Sequence, residues 1–149
     1  MSTDELRAAA VILTKVAFPE GLAAAAAMNR LEIDAVPTAI GSVAVCRSGA
    51  LVDPKGTAKI LSEVVPKSPV VLLVQRDGQL TASRWQAGQE EEQPSAALML
   101  DGAPPEIEDL LLGAARAEDL PGVVSSVGMT KWRAMRTLVG VARSARRRS

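Results

Sequence analysis

Histidine is absent from all 149 residues, tyrosine is absent too, and the chain holds one cysteine, one phenylalanine and two tryptophans. Each shortage excludes something. Without histidine the chain cannot build a Ser-His-Asp or Cys-His nucleophile, and it lacks the commonest general base, metal ligand and near-neutral pH switch. Cys46 alone permits no internal disulfide and no tetrahedral Cys/His zinc site within one chain. With Phe18, Trp85 and Trp132 as its only aromatics, the core must be filled by Ala, Val, Leu and Ile, which suits helices lying close on a sheet.

Long apolar runs are missing as well, none approaching the roughly 18 residues of a membrane span. The first seven residues are polar, with Asp4 and Glu5, and lack the basic start and apolar centre of a secretory leader. A cytoplasmic location is expected. Neither glycine-rich phosphate motif, G-x-G-x-x-G or G-x-x-x-x-G-K-[ST], occurs. No cofactor and no metal are expected.

What is present is enough apolar content, 48%, for one ordinary core. The charge is unevenly spread. The formal net charge is zero, yet residues 120–149 carry seven basic side chains and no acidic one, while residues 87–119 carry nine acidic and one basic. Such polarity says where to look for a partner.

Along the chain, residues 8–17 read as a strand, with a helix over 3–17 left open as the alternative, after a helical first turn that Ser2 and Glu5 would cap as a box. Pro19-Glu20-Gly21 opens a buried helix reaching Ile33, with an alanine run that allows close approach to a sheet. Residues 36–47 read as one β-branched strand, with Pro37 suiting an edge and Gly41 a bulge. Asp53 caps a helix with Pro54 at its first position, and Pro66 ends it. Residues 69–76 and 79–85 form a hairpin through Asp77-Gly78, the pair that suits a type I′ turn. Residues 88–95 read as a solvated loop and 96–100 as a further short strand. An amphipathic helix follows Pro104-Pro105, a short helix capped by Asp119 runs through Val127, and Thr130 caps a last helix toward Arg147.

This order predicts an α/β (α+β) fold: a small mixed sheet with a hairpin, two helices on one face and a C-terminal all-helical appendage. A soft boundary is expected inside 87–95, separating an α/β core of residues 1–90 from an acidic loop plus helical segment, 91–149, the two able to pack as one domain.

Most chemically suggestive groups have a plainer reading. Cys46 follows Val43-Ala44-Val45 in a strand and reads as a small buried hydrophobe. Glu106 and Asp109 share a helix face, but acidic groups near a helix N-terminus favour its dipole. Glu90 to Glu92 are adjacent carboxylates that do not converge on one centre. The helix start at 53–57 offers N–H groups to a phosphate, and Asp53 would repel it. No catalytic residue is assigned.

The tail offers more. The fragment Val127-Gly128-Met129-Thr130 followed by Arg136 resembles the turn and recognition helix of helix-turn-helix DNA-binding domains, over residues 119–138. The resemblance implies a glycine turn between two packed helices, with Thr130 to Arg136 meeting a groove and Arg143 to Arg148 meeting phosphates. The nucleic-acid residues would be Thr130, Lys131, Arg133, Arg136, Arg143, Arg146, Arg147 and Arg148.

Read instead as an amphipathic helix, the same segment places Trp132, Met135, Leu138, Val139 and Ala142 on one side and Arg133, Arg136, Arg143 and Arg147 on another. A protein-binding surface would use Trp132, Met135, Leu138 and Val139 with Arg133 and Arg136. A membrane surface is disfavoured by a small apolar face with one tryptophan. The expected function is that of a non-enzymatic adaptor, accessory subunit or regulator that binds a protein partner or its own copy through this helix. A DNA-binding regulator is the second reading, and a small enzyme without histidine or metal the third.

Overall fold

The computed structural model describes residues 9–47 and 49–148, without the side chains of Ala145, Arg147 and Arg148. The Ser2 and Glu5 capping box lies outside the described residues. Seven strands form one sheet in the order β6-β5-β4-β1-β3-β2-β7, with β1 Ala9–Leu13, β2 Ile33–Thr38, β3 Gly41–Cys46, β4 Val70–Arg76, β5 Gln79–Gln86, β6 Gln89–Glu90 and β7 Val124–Ser125. The helices are α1 Pro19–Met28, α2 Pro54–Val64, α3 Ala96–Asp101, α4 Pro105–Leu112 and α5 Lys131–Arg148, with a 3₁₀ turn at Ala117–Asp119. This is the expected α+β class. Among the described residues every ladder is antiparallel, where a mixed sheet was expected.

The near-continuous apolar runs of β1 and β4 mark strands covered on both faces. Ala10, Ile12, Val70 and Leu72 point to one face, where α1 and α2 cover them through Leu22, Ala23, Ala26, Ala58 and Leu61. Val11, Val43 and Leu73 point to the other, where Ile107, Leu110, Leu111 and Ala117 pack. The two helices expected on one face are therefore α1 and α2. Of the C-terminal segment, α3, α4 and the 3₁₀ turn cover the second face.

Several elements differ from the sequence expectation for identifiable reasons. The first helix stops at Met28 instead of Ile33, because Asn29 Nδ2 donates to Ala25 O at 2.8 Å and Arg30 turns left-handed at φ 60°. Residues 36–47 form a hairpin, not one strand, since Ala39-Ile40 makes a turn closed by the Thr38 hydroxyl donating to Gly41 O. That turn lacks the glycine or asparagine that would reveal it in sequence. The Asp77-Gly78 hairpin forms as expected, with φ 53° and 75° at its two central residues. A second such turn at Ala87-Gly88, φ 49° and 84°, turns part of the expected loop into β6.

Residues 96–101 are helical where a strand was expected, because the Ser95 hydroxyl accepts from Leu98 N at 3.4 Å and caps a first turn. The short helix expected over 119–127 does not form. Pro121 has no N–H to continue it, Gly122 sits at φ 76° against Pro37, and the chain instead pairs with β2 through Asp34↔Ser125 and Ala35↔Val124. The buried Ser126 hydroxyl stitches that edge down, accepting from Ile33 N at 2.8 Å and donating to Leu31 O at 2.7 Å. Arg47 adds an ion pair to Asp34 at 2.8 Å and a hydrogen bond to the Ser125 hydroxyl at 3.2 Å.

Candidate functional site

Small residues decide how α5 sits. The residues from Gly21 to Ala26 of α1 are all buried, Leu22, Ala23 and Ala26 against the sheet. A Cβ on Gly21 would lie 3.3 Å from Val141 Cγ1 of α5, so the two backbones approach closely there. Ala134 of α5 is fully buried, and Thr137, Leu138 and Val141 are half-buried, the i, i+3, i+4, i+7 pattern of one helix face. Thr130 caps the helix as expected, its hydroxyl accepting from Arg133 N at 3.1 Å.

The remaining apolar residues of α5 point away. Trp132 is 69% exposed, Met135 50% and Val139 48%. With Arg136, Gly140 and Arg143 they line a shallow groove of about 350 Å³. The single apolar side expected from the sequence is therefore two faces: Leu138 turns inward with Ala134 and Val141, while Trp132, Met135 and Val139 turn outward, and Ala142 is exposed. An α1 surface made of glycine and alanine leaves no room for a tryptophan, so the docked face is the one with Ala134 at its centre. Gly140 escaped the sequence reading; its missing side chain opens the middle of the outward face, and only the position of α5 on α1 reveals this.

The cations of α5 are largely open to solvent. Lys131, Arg133, Arg136 and Arg143 are exposed, with no carboxylate at salt-bridge distance among the described residues. Arg146 is exposed too, while the side chains of Arg147 and Arg148 lie outside the description. The acidic groups are elsewhere. Asp101, Glu108 and Asp109 are exposed on α3 and α4, the layer over the opposite face of the sheet, and Glu106 is half-exposed. Because residues 124–125 are an edge strand, the first helix of the helix-turn-helix arrangement at 119–138 is not formed. Gly128, at φ 82°, turns the chain from that strand into α5.

Other candidates resolve plainly. Cys46 is half-buried, not fully buried as expected, and borders a pocket of about 250 Å³ with Arg47, Asp53 and Arg76; desolvation still pushes its thiol from 9.0 up to about 12, with the Asp53 carboxylate adding to the shift. A group whose folded value is raised stabilises the fold fully below its unfolded value, and that contribution is lost as pH rises from about 9 toward 12. At pH 8 iodoacetamide should alkylate the native thiol about a hundredfold or more slowly than the unfolded one. Equal rates would show the thiol to be exposed. At α2, the Asp53 carboxylate already takes Gly56 N at 2.8 Å, occupying a donor that a phosphate would need. Among the described residues no three carboxylates or thiols gather as a metal-holding group. Among the described residues no helix is long and apolar enough to cross a membrane.

No protein-family model, curated protein or solved structure matches this chain. The fold and the site define an antiparallel α+β protein whose last helix is docked on one side and bare on the other.

Proposed function

We propose that this is a non-enzymatic, cytoplasmic protein-docking module, an adaptor, accessory subunit or regulator, that grips its partner with the outward face of α5. The observation that carries the reading is the exposure of Trp132 beside Met135 and Val139, on a helix already anchored by its other face. A tryptophan on a rigid helix offers a large contact area at little entropic cost, the usual composition of an interface hot spot. Exposed arginines around it select an acidic partner and speed its approach. Self-association falls within the same reading, and a phosphate backbone is the rival that the cations favour.

The triple variant Trp132→Ala, Met135→Ala, Val139→Ala separates these. All three side chains face away from α1, so stability should change by no more than about 0.5 kcal/mol for each substitution. Purified protein partners held by the immobilised wild type should be lost from the variant, with affinity falling about a hundredfold or more. Equal retention by both proteins would overturn the docking surface. A duplex affinity that falls steeply with salt and survives the triple substitution would instead favour the nucleic-acid reading.

A further inference from the structure

We infer that the outward face of α5 takes the acidic α3–α4 layer of a second copy of this chain, so that copies join head to tail. The inference rests on the docking reading and names its occupant. The α3–α4 layer carries its own bare apolar residues, Leu98 at 70% and Leu112 at 66% exposed. They lie on the same two helices as exposed Asp101, Glu108 and Asp109, none of which forms a salt bridge among the described residues. Exposed apolar side chains and carboxylates on α3 and α4 thus match the exposed apolar side chains and arginines on α5.

The layers decide that this pairing is intermolecular. α5 lies on α1, over one face of the sheet, and α4 packs on the other face through Ile107, Leu110 and Leu111. One molecule cannot close the contact on itself. A two-fold pairing of α5 with α5 would set Arg136 and Arg143 against their own copies, and like charges brought together at an interface oppose association. Joining α5 to α3–α4 places opposite charges together, and the zero net charge of the chain means that no repulsion between whole molecules opposes it. A contact between two different patches is heterologous, so it leaves a free patch at each end and extends into a ring or an open series.

Complementation between variants tests this. Arg136→Glu with Arg143→Glu disables only the basic patch, and Glu108→Lys with Asp109→Lys disables only the acidic one. The wild type should self-associate at submillimolar concentration and low salt, weakening about tenfold or more at high salt. Each double variant alone should sediment as a monomer, with the melting temperature unchanged for the α5 variant and slightly lowered for the α4 variant, which places lysines near the N-terminus of that helix. Mixed together, the two should associate, because the intact basic patch of one meets the intact acidic patch of the other and the two reversed patches are opposite in charge as well. A wild type that stays monomeric under these conditions overturns the inference, as does a dimer that persists in either variant or a mixture that fails to combine. The docking reading outlives a wild type that stays monomeric if the triple α5 variant loses proteins other than this chain, and falls with it if none is lost.

Discussion

Gly41→Ala is expected to destabilise the protein by about 3 kcal/mol or more, because strain and overpacking act together. At this chain length that lowers the melting temperature by about 10 °C. The position begins β3, just after the turn from β2, and there the chain leaving β1 folds onto the hairpin. Ser42 N donates to Val16 O at 2.7 Å, and both the Thr14 hydroxyl, at 2.7 Å, and Thr14 N, at 3.3 Å, donate to Ser42 O. Gly41 has φ 133°, which a side chain rarely adopts, and an added Cβ would stand 2.5 Å from Thr14 O and 3.0 Å from Lys15 Cα. Both are backbone atoms held by those hydrogen bonds, so neither can swing aside as a side chain would. Thermal denaturation followed by circular dichroism checks the prediction, and an unchanged midpoint would mean that the hairpin does not lie against β1 as described.

The second large effect is expected at Ile107→Ala. Ile107 has no exposed surface and lies in the cluster with Val11, Val43 and Leu73, on the face of the sheet covered by α4. Truncation removes buried apolar surface and leaves a cavity, at a cost of about 3 kcal/mol. Because the cavity borders the central strand, the loss should appear in one cooperative transition for the whole described chain, again with a fall of about 10 °C. A midpoint lowered by less than about 2 °C, or a split transition in which the sheet melts as in the wild type, would make residues 91–149 energetically separate from the sheet. The two substitutions lie on different elements and touch different neighbours, so their effects should add when combined.

Legibility followed the reach of each interaction. The Asp77-Gly78 hairpin, the Asp53 cap of α2 and the Thr130 cap of α5 were readable because side chains within three residues settle them. The hairpin of β2 and β3 was not, because Ala39-Ile40 looks like strand and its turn is held against Thr14 and Lys15 across the sheet. The edge strand at Val124–Ser125 was read as a helix for a similar reason: its hydrogen-bond partners in β2 lie some ninety residues away. At the candidate site, the basic and apolar character of the last helix was visible in sequence, and the residues it presents were not. A helical projection cannot say which of two apolar faces will be covered. That was decided by Gly21 and Val141, which meet only when α1 and α5 do.

The sequence by itself determined the exclusion of histidine-based and disulfide chemistry, the α+β class, the two helices on one face and the polarity between residues 87–119 and 120–149. Composition and local caps suffice for those, because they depend on which atoms exist and on neighbours a turn away. Only the tertiary structure decided that the acidic groups of α3 and α4 and the basic groups of α5 occupy opposite outer layers, and that Trp132 is left bare while Leu138 is drawn in. The reason is steric and topological: β7 anchors the chain at the sheet edge on its way from one layer to the other, and the small-residue surface of α1 accepts only the slim side of α5.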